Sequence, residues 1–142
     1  MTNSLNDIRH AKSMIFIGSN ATEAHPVALQ HILHAKEVNN APLIVVDPRF
    51  TKLAAKSTDF IRIRPGSDGA FIMGLINAVI TNGWQDKEFI RTRVSGYEEM
   101  AEVAAHYTPE IVEDITGIPA SEVTRIAEML ATNRPTSLTW CM

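Results

Sequence analysis

Three short apolar runs, each stopped by small or turn-forming residues and each followed by a stretch with helical character, constrain this chain more than any other feature. Ser13-Met14-Ile15-Phe16-Ile17 is compact and rich in strand-favouring residues, and it ends at Gly18-Ser19-Asn20. Leu43-Ile44-Val45-Val46 is a second continuous apolar run, stopped by Asp47-Pro48-Arg49. Asp59-Phe60-Ile61-Arg62-Ile63-Arg64 is a third, closed by Pro65-Gly66-Ser67. Between the first two, residues 23–38 carry Val27, Leu29, Ile32, Leu33 and Ala35 at helical spacing, with Pro26 in the first turn, where proline is tolerated. A short helical stretch is expected near 51–57. Ser67 or Asp68 then caps a long apolar helix containing Phe71, Ile72, Leu75, Ile76, Val79 and Ile80. The order βαβαβα predicts an α/β fold: a doubly wound, mostly parallel sheet with helices on both faces.

The second half is expected to be helical. Asp86–Arg93 and Tyr97–His106 read as two short helices separated by Ser95-Gly96. Thr108-Pro109-Glu110 opens another, with Thr108 as N-cap and proline at the first helical position. Thr116-Gly117-Ile118-Pro119 breaks it, and a further helix runs over Ser121–Asn133 with Ser121 as its expected cap. Thr136–Met142 has a strand pattern that runs to the last residue, so the chain is expected to be an internal piece of something longer.

Composition narrows the function classes. With 142 residues the chain can bury about two-thirds of its unfolded surface, enough for one domain over 1–142 without disulfides or metals. Thirteen Lys+Arg against sixteen Asp+Glu give a net charge of -3, with no basic block, so no nucleic-acid partner is expected. One cysteine, Cys141, excludes an internal disulfide framework and an iron–sulfur cluster held by these residues alone. No apolar run approaches the roughly 20 residues of a membrane span, so direct membrane contact is not expected. The first residues are polar and lack the apolar core of a secretory signal. A cytoplasmic location is therefore the first expectation, and a periplasmic one stays open because a signal would lie upstream.

In an open parallel sheet, ligands bind outside the carboxyl ends of the strands. The three expected strand ends are Gly18-Ser19-Asn20, Asp47-Pro48-Arg49 and Gly66-Ser67-Asp68. Glycine lets backbone approach a ligand closely, and the front of a following helix offers free N–H groups to phosphate. A carboxylate after the second strand suits ribose hydroxyls. Together the loops read as phosphate, ribose and base contacts of a nucleotide. Each also has a plain structural reading: Gly18-Ser19-Asn20 and Asp47-Pro48 as turns, Arg49 as a solvated charge, Ser67-Asp68 as a helix cap. The spacing G-x-G-x-x-G of ordinary nicotinamide or flavin dinucleotide folds is absent.

Elsewhere the structural readings win. His25 stands near the first loop and reads as a cap or surface residue. His31 and His34 lie three apart on one helix without a third metal ligand, and His106 stands alone. Cys141 reads as a packed thiol, Met73, Met100 and Met129 as core filler. Glu98-Glu99 and Glu110/Glu113/Asp114 read as solvated helix faces. No nucleophile–base pair is formed, so no catalytic residue is expected here.

Gly18-Ser19-Asn20-Ala21-Thr22-Glu23-Ala24-His25-Pro26, then Val45-Val46-Asp47-Pro48-Arg49, then Arg64-Pro65-Gly66-Ser67-Asp68, resemble the molybdopterin oxidoreductase family. Tyr107-Thr108-Pro109-Glu110 and Asp114-Ile115-Thr116-Gly117-Ile118-Pro119 most resemble the large subunit of molybdenum- or tungsten-dependent formate dehydrogenases. The resemblance covers essentially the whole chain in order. It implies a Rossmann-like domain holding one arm of a bis(molybdopterin guanine dinucleotide) complex of molybdenum or tungsten. Carried over by residue, Gly18, Ser19, Asn20 and Glu23 match the first binding loop, Asp47, Pro48 and Arg49 the second, and Gly66, Ser67 and Asp68 the third. Asp47 and Asp68 would accept from ribose O–H or guanine N–H, in either assignment.

The family's iron–sulfur segment, its cysteine or selenocysteine metal ligand and its catalytic histidine have no counterpart in these residues. The implied activity, oxidation of formate to carbon dioxide, then belongs to a larger catalytic subunit, and the chain alone is expected to be inactive. Its implied partners are the remainder of that subunit and an iron–sulfur electron-transfer subunit, with self-association through an uncovered sheet edge as a further expectation. The competing readings are the equivalent domain of a nitrate reductase-like molybdoenzyme, a stand-alone nucleotide-binding or regulatory module, and a plain interaction domain.

Overall fold

Four strands, β1 (Ser13–Ile17), β2 (Leu43–Val46), β3 (Asp59–Ile61) and β4 (Thr136–Trp140), form one parallel sheet in the order β3-β2-β1-β4. Winding runs outward from β1 through β2 to β3, then returns to the other side of β1, which makes the sheet doubly wound as expected. The computed structural model describes residues 4–140. They divide into two units: one running up to Arg62 and resuming at Asn133, the other spanning Ile63–Thr132.

The first unit contains the sheet. Met14 and Phe16 of β1 and Leu43 and Val45 of β2 share a core with Ile32 and Ala35 of α2 (Pro26–Val38) and with Leu53 and Ala54. Each fully buried large side chain of this kind is worth about 1.5–3 kcal/mol. The alternate residues Ile15, Ile17, Ile44 and Val46 are buried as well, which is why these strands read as unbroken apolar runs. Ser13 is the one polar side chain within β1. Its hydroxyl donates to the Asn133 carbonyl at 2.7 Å and shares a 2.7 Å hydrogen bond with the Thr136 hydroxyl, tying β4 to β1.

Some boundaries differ from the sequence reading for local reasons. The first helix is split into α1 (Ala21–Ala24) and α2, because Pro26 disfavours helical backbone at His25 (φ -139°, ψ 65°). The third strand stops at Ile61, and the Arg64 amide donates to Thr116 instead of continuing the ladder. A 3₁₀ turn over Leu5–His10 had no counterpart in the reading, although Ser4 and Asp7 form a reciprocal capping box there. The strand expected over Thr136–Met142 is described as far as Trp140; Cys141 lies outside the described residues.

The second unit is helical: α3 (Asp68–Thr81), α4 (Lys87–Arg93), α5 (Tyr97–Ala105), α6 (Pro109–Thr116) and α7 (Ala120–Thr132). Gly74 of α3 lies so close to α6 that a Cβ there would meet Val112 at 2.6 Å. Thr108 caps α6 as expected, its hydroxyl 3.5 Å from the Ile111 amide. Gly117 ends α6 in the left-handed region (φ 77°), and the Arg64 guanidinium donates to the carbonyls of Asp114 and Ile115 in the last turn. Ser121 is not the cap of α7. The helix begins one residue earlier, and the Glu113 carboxylate accepts from the Ala120 amide at 2.8 Å.

Candidate functional site

Gly18 extends the β1–β2 ladder by one bond, its N–H donating to the Val46 carbonyl at 2.9 Å. This sets the loop after β1 beside the loop after β2. Gly18 has φ 63° and nothing within 4 Å of where a Cβ would stand, so the chain is bare at this point. Ser19 follows at 2% exposure and makes no side-chain hydrogen bond among the described residues.

Asp47 is the carboxylate of the edge. Its N–H donates to the Ile61 carbonyl, and the residue is only 4% exposed. One oxygen accepts from the Arg49 amide at 2.7 Å, spanning Pro48, and that is its only hydrogen bond among the described residues. A carboxylate can accept about four hydrogen bonds, so most of the acceptor capacity of Asp47 is unused. Pro48 and Arg49 are exposed.

Asn20 and Glu23 behave differently, because their polar atoms are already engaged. The Asn20 amide donates to Glu23 at 2.7 Å and accepts from the Thr22 hydroxyl. The other Glu23 oxygen lies 2.9 Å from the Lys52 ammonium. The hydrogen bond from Lys52 and then its charge hold the Glu23 carboxyl below the ordinary range against desolvation, with still smaller help from Arg49 and Asn20. Lys52 was missed in the sequence, where 51–57 reads only as a short helical segment. Its signal was a second cation three residues past Arg49. Phe50, also unpredicted as a surface aromatic, is exposed and meets Phe60 edge-on with centroids 5.0 Å apart.

Seven of the ten expected contacts therefore gather at the carboxyl ends of β1 and β2. Gly66, Ser67 and Asp68 belong to the second unit. Gly66 has φ 82° with open space around the Cβ position. Ser67 occupies the N-cap position of α3 without capping it, because its hydroxyl donates back to Arg64 at 2.7 Å. The front of α3 keeps its amides free of that side chain. His25 is exposed, and His31 and His34 are half-buried, with the Nδ1 of His34 buried and without a partner. Among the described residues, no group of three His, Cys, Asp or Glu side chains is arranged to hold a metal ion, and no helix is long and apolar enough to cross a membrane. A polar depression lined by His10, Lys12, Asn39, Asn40 and Asn133 lies at the opposite, amino end of β1.

The parallel sheet, with a bare glycine after β1 and a buried, under-used carboxylate after β2, is an α/β domain whose exposed loops stand at the carboxyl edge, where open parallel sheets carry their ligands. The molybdopterin oxidoreductase family model matches residues 1–137, and the chain belongs to that family. Over all 142 residues it is 37% identical to the F420-dependent formate dehydrogenase subunit alpha of Methanocaldococcus jannaschii, covering 21% of that protein. Over the same residues it is 34% identical to formate dehydrogenase H of Escherichia coli, covering 20% of it. Among solved structures it is similar to acetylene hydratase from Pelobacter acetylenicus, with a TM-score of 0.85 and 31% identity over 96% of this chain and 20% of that one. The chain thus spans about one fifth of the length of these relatives and resembles a section of a formate dehydrogenase catalytic subunit.

Proposed function

We propose that this chain is a cofactor-holding section of a formate dehydrogenase catalytic subunit, and that its loops grip the guanine end of a bis(molybdopterin guanine dinucleotide) complex. The observation that carries the reading is Asp47: a buried carboxylate with spare acceptor capacity, beside a glycine with no neighbour where its side chain would be. Such a pair fits a group that brings N–H or O–H donors and needs close backbone approach. Bound there, the cofactor would supply the molybdenum or tungsten centre at which formate gives up two electrons and a proton to become carbon dioxide.

The parts this chain would play are binding and orientation. Asp47 accepts from guanine N–H or ribose O–H. Gly18 and Ser19 offer backbone to the diphosphate, Pro48 stiffens the second loop, and Arg49 supplies positive charge. Gly66, Ser67 and Asp68 remain candidate contacts of the second unit, with the front of α3 suited to an anion. The remainder of the catalytic subunit and an iron–sulfur subunit are the proposed partners, and a single domain over 1–142 remains the proposed organisation. A second reading follows from the acetylene hydratase similarity: the same section would hold the same cofactor in a member acting on another substrate. Nothing in the proposed grip depends on which substrate is used.

The test is titration of GDP into isotope-labelled chain. The expected result is saturable shifts of the Gly18–Asn20 and Asp47–Arg49 amides, with a dissociation constant on the order of 1 mM, about -4 kcal/mol. Asp47→Asn keeps the acceptor for the Arg49 amide and removes the charge, so it should weaken binding about tenfold, the loss of one charge-assisted hydrogen bond. Glu102→Gln, on the exposed face of α5, should leave it unchanged. Saturable shifts confined to other regions would refute the reading.

A further inference from the structure

Glu23 poses a physical problem for the proposed site, because a carboxylate on a loop meant for a diphosphate repels it. We infer that Glu23 is a positioning residue rather than a nucleotide contact, and that Lys52 is the counter-charge that lets it stand beside an anion. The inference rests on the reading that these loops hold a guanine nucleotide.

Each Glu23 oxygen already has a partner within the first unit, one the Asn20 amide at 2.7 Å and the other the Lys52 ammonium at 2.9 Å. The Asn20 side chain is held at its other end by the Thr22 hydroxyl, which fixes its orientation on the loop. What this leaves on offer is the backbone between Gly18 and Asn20. Lys52 lies five residues past Asp47, so the Glu23–Lys52 pair clamps the first loop to the segment that follows the second. The charges of the edge then balance: Asp47 and Glu23 against Arg49 and Lys52. Without Lys52 the edge carries an excess negative charge where the diphosphate would arrive. The pair is exposed, with 73% and 55% of the two side chains accessible, so it contributes little to folding and its loss should be felt by the ligand.

The test is a double-mutant cycle of Glu23→Gln and Lys52→Met, read by GDP titration of the labelled chain at about 0.05 and 0.5 M salt. Gln keeps an acceptor for Asn20 while losing the charge. Lys52→Met alone should weaken GDP about threefold at the lower salt, and the difference should vanish at the higher, where the screening length falls to a few ångströms. Glu23→Gln alone should not weaken GDP, and the double variant should return to the affinity of the unaltered chain. Unchanged binding in Lys52→Met, or Glu23→Gln weakening GDP as much as Lys52→Met does, would overturn the inference and leave the nucleotide site standing. Absence of GDP shifts in the unaltered chain would overturn both.

Discussion

Gly18 of the first unit and Gly74 of the second serve opposite purposes. In the first, Gly18 faces open space and adopts a left-handed backbone at the end of a buried strand. In the second, Gly74 sits in the middle of a helix where a single extra carbon would run into Val112. One glycine leaves room that the chain does not fill, and the other removes room so that α3 and α6 can pack closely. Glycine in a sequence is therefore informative only together with its neighbours. Gly18, at a strand end, leaves a place for something else to approach, and Gly74, inside an apolar helix, stands where another helix already has.

Substitution at these positions should separate the two roles. The largest expected effect is at Gly74. Gly74→Ala should lower unfolding free energy by about 1–3 kcal/mol in urea denaturation, because overpacking outweighs the better helix propensity of alanine. Val112→Ala added to it should recover part of the loss. Neither should change GDP binding. Next is Ser13→Ala, which removes a buried hydroxyl shared by β1 and the Asn133–Thr136 segment and should cost about 1–1.5 kcal/mol. Gly18→Ala should cost about 1 kcal/mol through its positive φ alone, since no atom stands in the way, and its effect on GDP should exceed its effect on stability. A Gly74→Ala chain that lost GDP binding at full stability would break the contrast.

The smallest expected effect is electrostatic. The Glu23 carboxyl is held low in the folded chain, so its contribution is present above the carboxyl's unfolded value of 4.5 and lost as pH falls through the lower folded one. Side-chain carbon shifts should place the Glu23 titration below the ordinary glutamate value of 4.5. Lys52→Met should move it upward, because the hydrogen bond and charge of Lys52 are the leading causes of the shift.

Much of this was legible in the residues because the determinants are local. Continuous apolar runs betray strands buried on both faces, Pro109 after Thr108 marks a helix start, and Gly117 marks its end. The loops after β1 and β2 could be named because parallel sheets keep their ligands at one edge. What was not legible depends on atoms distant in sequence. Glu113 reads as a solvated charge until the Ala120 amide comes within reach of it, and that displaces Ser121 as the cap. Arg64 reads as the end of a strand until its guanidinium meets the last turn of α6. The ion pair of Glu23 was not legible because its partner, Lys52, stands 29 positions further on.

The claim at the centre is that the loops after β1 and β2 form one face for a guanine nucleotide. A crystal structure of the chain soaked with GDP tests it most directly. The account predicts density at the carboxyl ends of β1 and β2, with a guanine or ribose donor on the free acceptor positions of Asp47 and the diphosphate against the Gly18–Asn20 backbone. Density bound instead in the polar depression of His10, Lys12 and Asn133, with Asp47 untouched, would contradict it.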